Sequence, residues 1–127
     1  MKLLLDTHIF IWWRTSPDRL TPHVKSTLEN EETDVYLSVA SIWEMQIKIQ
    51  LDKLKLAVSL RSFVEDEQRN GLTLLSVSER HVFQLEQLPP IHRDPFDRIL
   101  VAQALVEGAQ IVTTDAQICG YPVTVFR

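Results

Sequence analysis

Four short apolar runs alternate with longer segments of helical pattern, and this alternation constrains the fold more than any other feature of the chain. The runs are KLLL at residues 2–5, DVYLSVA at 34–40, LTLLSV at 72–77 and AQIVTT at 109–114, with a shorter PVTVF at 122–126. A strand covered on both faces is apolar throughout, and strands joined through helices pair in parallel. The sequence therefore predicts one α/β domain over residues 1–127, with a mainly parallel central sheet between two layers of helices.

The segments between the runs carry signals for helix starts and stops. Serine, threonine and aspartate cap a first turn, proline fits the first helical position, and glycine ends a helix. The expected helices are a polar one opened by Thr21-Pro22, one over residues 41–51 with Ile42, Met45 and Ile49 on one face, one capped by Ser59 with Leu60, Phe63 and Val64 inward, one capped by Ser78 that carries Val82, Leu85 and Leu88 and ends at Pro89-Pro90, and one from Asp94 to about Gly108.

Composition excludes several classes of function. A formal net charge of -4 argues against a broad basic face for duplex DNA. The single cysteine, Cys119, excludes an internal disulfide framework and suits a reducing cytoplasm. The three glycines are too far apart for a phosphate-binding loop. Asp6 and His8 interrupt the apolar start, which has neither a cleavage site nor membrane-spanning length, so a cytoplasmic location without membrane attachment is expected.

Four acidic residues fall at the ends of the expected elements. Asp6 follows the first strand, and Asp115 follows the run at 109–114. Glu44 and Asp97 lie in the expected first turns of two helices. Parallel strands end, and the helices after them begin, at the same edge of a sheet, which is also where such sheets bind ligands. We expect all four carboxylates to converge at that edge.

The two helix acids also have an ordinary explanation as caps. Ser41-x-x-Glu44 has the spacing of a capping box, and Asp94-x-x-Asp97 is a weaker variant with Pro95 at the first helical position. An acid in the first turn also suits the helix dipole. The two roles are compatible, because a cap can orient a carboxylate that also serves a metal.

The two strand acids have ordinary explanations as well. Asp115, after two threonines, has the context of a turn aspartate. Asp6 ends a buried strand, where an unpaired carboxylate is costly, so an ion pair with Arg98 or Lys48 is the alternative to a functional role.

Four converging carboxylates would repel one another and raise each other's pKa values. A divalent cation removes that repulsion, and oxygen ligands select Mg²⁺, with Mn²⁺ as a substitute. Such a cation activates water and neutralises the charge that develops on a phosphodiester. The acids therefore favour metal-dependent hydrolysis of a nucleic acid.

With these residues in place, the chain resembles PIN-domain ribonucleases, and specifically VapC-type toxins of type II toxin–antitoxin systems. The resemblance rests on the blocks LLLDTHIFIWW, LSVASIWEMQIKIQLDKLKL, LPPIHRDPFDRILVAQA and IVTTD, which occur in the family's order. It implies a PIN-like fold, Mg²⁺-dependent cleavage of RNA that inhibits translation, a homodimer or larger toxin–antitoxin assembly, and neutralisation by a cognate VapB-type antitoxin. The chain differs at Asp52, where relatives often have glycine, which puts the turn after the second expected helix in question.

The same resemblance assigns roles to individual residues. From the convergence of the acids we also expect Asp6 and Asp97 to be the principal metal ligands and Glu44 and Asp115 to complete the site, so that a water activated by the metal would attack the phosphate in line. The residues implied are the catalytic and metal-binding acids Asp6, Glu44, Asp97 and Asp115, the nearby acid Asp94, and the supporting hydroxyls of Thr7 and Thr113.

Basic residues near these blocks are candidates for contacts with RNA phosphates. For each of them a salt bridge or a solvated position is the ordinary alternative. His8 and His92 are candidate general bases, but packing or a supporting hydrogen bond explains either one without a catalytic role. The phosphate-contact candidates are Arg14, Lys48, Arg93 and Arg98.

Two other classes of protein would need acids that this sequence lacks. A phosphatase of the haloacid-dehalogenase type would need a second aspartate two residues after Asp6, where His8 stands, and a receiver domain would need neighbouring acids where Thr7 follows. The alternative that the sequence leaves open is a non-catalytic binding module, whose acidic pocket serves assembly with a partner protein.

Overall fold

Five parallel strands and six helices make up the computed structural model, which describes residues 1–127. The strand order is β3-β2-β1-β4-β5, so β1 lies at the centre between β2 and β4. The predicted α/β class and parallel central sheet are confirmed. None of the helices has the length and apolar character needed to cross a lipid bilayer. The elements are β1 (Lys2–Leu5), α1 (Thr7–Thr15), α2 (Pro22–Glu29), β2 (Asp34–Ser38), α3 (Val39–Gln50), α4 (Leu60–Arg69), β3 (Thr73–Leu75), α5 (Glu79–Gln84), α6 (Pro95–Glu107), β4 (Gln110–Val112) and β5 (Val125–Phe126).

Hydrophobic clusters cover both faces of the sheet, which explains why the strands read as unbroken apolar runs. In β1, Leu3 and Leu5 belong to a cluster shared with α1–α4, whereas Leu4 belongs to a cluster shared with α6. All three leucines are fully buried. Successive strand residues point to opposite faces, so a strand between two helix layers needs apolar residues at every position. The expected three-layer arrangement is confirmed.

Helix α1 was not expected from the sequence. It begins directly after β1 and contains THIFIWWRT, with Thr7, Ile9 and Phe10 buried. Because its five central residues, Ile9 to Trp13, are all apolar or aromatic, no helical period stands out from the sequence. Asp6 occupies the N-cap position of α1, but its side chain makes no capping hydrogen bond. Its carboxylate is therefore free for other contacts.

The second strand and the helix after it meet earlier than predicted. Strand β2 ends at Ser38, and α3 begins at the next residue, with the Ser38 hydroxyl accepting a hydrogen bond of 3.0 Å from the N–H of Ala40. Glu44 is therefore the sixth residue of α3, and the expected capping box from Ser41 is wrong. The predicted strand extends past Ser38 because Val39 and Ala40 are also apolar, although both residues already belong to α3.

Helix α5 is shorter than predicted. It contains six residues and continues into a 3₁₀ turn over Leu85–Gln87. Val82 is 47% exposed, whereas His81 is buried. The change from α-helix to 3₁₀ turn alters the angular spacing of side chains, so Val82, Leu85 and Leu88 do not share one buried face.

Most predicted helix caps are confirmed. The side chains of Thr21, Ser59 and Asp94 each accept a hydrogen bond from a backbone N–H in the first turn of the helix that follows. Gly108 ends α6 in the left-handed region at φ 66°. Asp52, where glycine was the expected residue, has φ 57°. Aspartate tolerates this region better than most residues, so the turn after α3 keeps the backbone conformation of a glycine turn.

Gly108→Ala should lower the free energy of unfolding by about 1 kcal/mol, because a Cβ at positive φ strains the backbone even where space is open. Gly120→Ala is the matched control, since Gly120 does not have positive φ and its added Cβ would lie 3.5 Å from the Ile91 side chain, an ordinary contact. Urea unfolding of both variants measures the difference. Equal midpoints for the two variants would contradict the assignment of strain to Gly108.

Candidate active site

Parallel pairing brings the ends of β1 and β4 to the same edge of the sheet. Leu5 of β1 pairs in register with Val112 of β4, and the N–H of Asp6 donates to the Val112 carbonyl at 3.0 Å. Strand β2 ends on the other side of β1 and leads directly into α3. The residues that follow these three strands therefore share one edge.

Asp6 is buried at this edge and only half of its carboxylate is hydrogen-bonded. The residue is 4% exposed, and Oδ2 accepts a hydrogen bond of 2.8 Å from the Thr113 hydroxyl. Oδ1 is buried without a hydrogen-bond partner. Burial is the main cause that raises the pKa of Asp6 above its ordinary value, while the Thr113 hydrogen bond opposes the rise and the charges of Glu44 and Asp115 add to it. Asp6 pairs with neither of the bases that were its ordinary alternatives.

Glu44 shows the same division between its two oxygens. It is 7% exposed, its Oε2 lies 3.1 Å from the Lys48 ammonium one helical turn later, and its Oε1 is buried without a partner.

The hydroxyl of Thr7 donates to the Ser41 hydroxyl at 2.9 Å, which links the start of α1 to α3. The predicted supporting hydroxyl of Thr7 therefore contacts α3 and not Asp6.

Helix α6 begins as the sequence predicts, and its two acids have separate roles. Asp94 caps the helix by accepting from the N–H of Phe96 at 2.9 Å. Asp97 in the first turn contacts the ring of His92, with 2.9 Å between Oδ2 and Nε2. Asp97 therefore faces the group of acids, whereas the carboxylate of Asp94 caps α6.

The electrostatic environment of Asp97 is unusual for an aspartate. Burial, followed by the charges of Asp6 and Asp94, raises its pKa to about 7, and the coulombic effect of His92 only partly offsets this rise. Asp6 and Asp97 therefore each hold a charge at a cost that a cation would remove.

Asp115 makes the contact of a turn aspartate and also lies beside His92. Its Oδ1 accepts from the N–H of Gln117 at 2.8 Å, which is the contact of a turn aspartate. Its Oδ2 lies 3.4 Å from Nε2 of His92. Its own N–H donates to the Thr113 hydroxyl at 3.0 Å, so one threonine contacts both Asp6 and Asp115. One potential ligand atom from each of His92, Asp97 and Asp115 lies within 4.8 Å of the others.

The four basic candidates are placed very differently. Arg14 forms an ion pair of 2.8 Å with the buried Glu67 of α4. Arg98 donates to the Pro89 carbonyl at 3.0 Å and to the Tyr121 hydroxyl at 3.2 Å, so it serves the internal structure. Lys48 lies beside Glu44, and Arg93 is exposed next to His92. Lys48 and Arg93 therefore remain the better candidates for RNA contact.

His92 has a larger part in the site than the sequence indicated. Its ring lies between Asp97 and Asp115, whereas His8 is exposed and packs its ring 6.2 Å from that of Trp12. A signal was present in the sequence, because a histidine two residues before a helix-capping aspartate is within reach of the first turn. Nothing in the sequence indicated which way its ring turns.

The residues at this edge fit a divalent cation. Oδ1 of Asp6 and Oε1 of Glu44 are buried polar atoms without protein partners, an arrangement that costs free energy unless a ligand completes it. The donor atoms are carboxylate oxygens, which select hard ions such as Mg²⁺ or Mn²⁺. Asp6, Glu44, Asp97 and Asp115 are the side chains that would hold the ion.

The free energy of unfolding of the metal-free protein should fall as pH rises from about 5 to 7, by on the order of 1 kcal/mol per pH unit. The pKa of Asp97 is raised to about 7 in the folded state, so the folded protein binds more protons than the unfolded chain in this window. Asp97→Asn should reduce this slope and raise the stability at pH 8. Urea unfolding in EDTA across this pH range measures both effects, with the exposed Asp18→Asn as control; an unchanged slope in Asp97→Asn would contradict the assignment.

Comparisons with known proteins agree with this architecture. The family model of the PIN domain matches residues 3–122. Ribonuclease VapC22 of Mycobacterium tuberculosis is 26% identical over 131 aligned residues, covering 98% of each chain. In structure, the chain is similar to VapBC2 from Rickettsia felis bound to a DNA fragment from their promoter, with a TM-score of 0.77, 17% identity and coverage of 99% and 98% of the two chains. It is also similar to FitAcB from Neisseria gonorrhoeae, with a TM-score of 0.68, 19% identity and coverage of 98% and 96%. The expected PIN-like fold is thereby confirmed, and the chain belongs to the PIN domain family.

Proposed function

We propose that the chain is a Mg²⁺-dependent endoribonuclease that acts in the cytoplasm as the toxin of a VapBC-type toxin–antitoxin pair and inhibits translation by cleaving RNA. One observation carries the proposal: four carboxylates meet at the edge where the strands end, and two of their oxygens are buried without protein partners. The ion pair of Glu44 with Lys48 uses only Oε2, and the carboxylate of Asp6 does not cap α1. A site that holds a cation for phosphodiester hydrolysis explains why they are left available.

Each acid has a role that follows from its surroundings. Asp6 and Asp97 are the principal ligands, because their pKa values are raised and a cation would relieve the cost of both charges. Thr113 fixes the orientation of Asp6 by donating to Oδ2, which leaves Oδ1 available. Lys48 does the same for Glu44 by pairing with Oε2. Asp115 completes the set and is held in place by the turn that it caps.

The cation supplies two things that these side chains lack: it neutralises charge on the scissile phosphate and makes water easier to deprotonate. Mn²⁺ should substitute for Mg²⁺, because both accept oxygen ligands. The protein's own contribution is to keep the acids close together despite their repulsion. The backbone of β1, β4, α3 and the first turn of α6 fixes their positions.

RNA should bind through few contacts. The net charge of -4 and the internal use of Arg14 and Arg98 leave Arg93 for the phosphate backbone, together with Lys48, which also pairs with Glu44. Few phosphate contacts give modest non-specific affinity that depends weakly on salt. Selectivity for one RNA therefore depends on fit at the cleavage site more than on charge.

The proposal of an antitoxin partner is supported by the similar proteins. The structural relatives are complexes of toxin and antitoxin, including a toxin–antitoxin complex from Klebsiella pneumoniae with a TM-score of 0.62 and 18% identity. The Rickettsia felis complex is bound to promoter DNA. We infer that a VapB-type antitoxin covers the acidic edge of this chain and keeps it inactive until released.

Asp6→Asn and Asp97→Asn should each reduce cleavage of a structured RNA panel at least 100-fold, because each removes a negative oxygen ligand. Cleavage by the wild-type protein should need Mg²⁺ and stop in EDTA. The purified chain without antitoxin is the enzyme, gel analysis of the RNA ends is the measurement, and Asp18→Asn is a matched control on an exposed 3₁₀ turn.

The controls separate this proposal from the non-catalytic alternative. Folding of each variant is checked by circular dichroism. Equal cleavage by folded Asp6→Asn and wild type would contradict the assigned site. Failure of the wild type to cleave any RNA, together with failure to bind Mg²⁺, would leave a binding module with an acidic pocket.

A second copy of the chain is the partner that we propose for an apolar groove beside the site. The groove has a volume of about 670 Å³ and is lined by Val39, Ala40, Trp43, Ile47, Val77, Val82, Pro95, Phe96 and Ile99. Trp43 is 63% exposed and contacts the edge of Phe96 with ring centroids 5.2 Å apart, and Phe83 nearby on α5 is 66% exposed. No charged residue lines the groove, which disfavours RNA, whereas an identical uncharged surface meets its own copy across a two-fold axis without burying charge.

Val82→Glu should convert the homodimer into a monomer, because two like charges would meet near the axis of an apolar interface. Val58→Glu is the matched control, since Val58 is 50% exposed and lies outside the groove. Sedimentation equilibrium of the antitoxin-free chain measures the mass. A wild-type protein that is monomeric at 100 µM, or a Val82→Glu variant that remains dimeric, would contradict the proposed interface.

A further inference from the structure

One imidazole ring occupies the space between two of the acids. Nε2 of His92 lies 2.9 Å from Oδ2 of Asp97 and 3.4 Å from Oδ2 of Asp115. His92 and Asp97 are each largely buried, with 17% and 13% of their side chains accessible. A short contact in such surroundings is stronger than the same contact in water.

The contact made by the other ring nitrogen, Nδ1, shows which of the two nitrogens carries the hydrogen. Nδ1 of His92 is 3.2 Å from the backbone N–H of Asp94 and accepts a hydrogen bond from it. A backbone N–H is always a donor, so Nδ1 carries no hydrogen while this contact is made. The neutral ring is therefore protonated on Nε2, and it donates toward Asp97. A metal ligand at Nε2 would need the opposite tautomer.

The loop that carries His92 is held from a distant part of the chain. The buried Tyr121 hydroxyl accepts the backbone N–H of His92 at 2.7 Å, and the Arg98 guanidinium donates to the same hydroxyl at 3.2 Å. Arg98 also donates to the Pro89 carbonyl at 3.0 Å. The backbone of this loop is thus held by three hydrogen bonds that involve neither Asp97 nor Asp115.

From these contacts we infer that His92 is a positioning residue that competes with the cation for Asp97: its Nε2–H occupies Oδ2 of Asp97 in the metal-free protein and holds the acids together until the ion binds. This inference rests on the proposed function, because it concerns the same metal site. The hydrogen on Nε2 carries a partial positive charge, so it stands in for a cation while none is bound. The same hydrogen would repel a cation that approached Oδ2.

Two substitutions separate the contacts of the ring. In His92→Asn the amide oxygen can replace Nδ1 as acceptor for the Asp94 N–H, but nothing reaches Asp97. In His92→Gln the longer amide can replace Nε2 as donor to Asp97. Mn²⁺ binding to the metal-free full chain is measured by the EPR signal of free Mn²⁺, and Mg²⁺ affinity by competition, with folding checked by circular dichroism.

The Kd for Mg²⁺ should fall about tenfold in His92→Asn and stay close to the wild-type value in His92→Gln, because a hydrogen bond to a charged group is worth about one order of magnitude in binding. An unchanged or weaker affinity in His92→Asn would overturn the inference, and a weaker one would identify His92 as a ligand. If wild type and variants all fail to bind either ion, the proposed metal-dependent function fails instead.

A measurement on the wild-type protein is independent of the variants. With ¹⁵N-labelled histidine, the NMR signals of the metal-free chain should show His92 protonated on Nε2 and unprotonated on Nδ1. Addition of Mg²⁺ should change the Nε2 signal. Protonation on Nδ1 in the metal-free protein would overturn the inference directly.

Discussion

A hydrogen bond of 2.8 Å from Thr113 to Asp6 joins the end of the central strand to the end of its neighbour, and the acidic edge depends on it. Burying a carboxylate at the end of an apolar strand costs free energy, and this bond recovers part of that cost for one oxygen only. Lys48 likewise pairs with only one oxygen of Glu44, Oε2. The protein therefore stabilises each of these two acids enough to fold and leaves one oxygen of each without a partner.

The parallel sheet and the convergence of the acids are predictable from the sequence because they depend on element order. Apolar runs that alternate with helical segments pair in parallel, and parallel pairing brings the residues after each run to one edge. Asp6 and Asp115 follow directly from this reasoning. Asp97 follows from the capping signal at Asp94-Pro95, which fixes where α6 begins.

What the sequence does not contain is the angular placement of side chains where two patterns join. Glu44 was expected in a first turn, but the junction after Ser38 has no loop, and apolar residues on both sides conceal the change from strand to helix. The whole of α1 was missed because the apolar and aromatic run from Ile9 to Trp13 shows no helical period. The role of His92 depends on contacts from Asp94 and Tyr121, which tertiary folding brings together and no local pattern reveals.

The distance in sequence between Asp6 and Thr113 has a consequence for synthesis of the chain. Their contact spans 107 residues, although β1 and β4 are neighbours in the sheet. As the chain leaves the ribosome, Asp6 emerges early and has neither its hydrogen-bond donor nor the acids of α6 and the β4 end. The acidic edge therefore assembles only after β4 has been made, and a nascent chain that stops short of it carries Asp6 without a site.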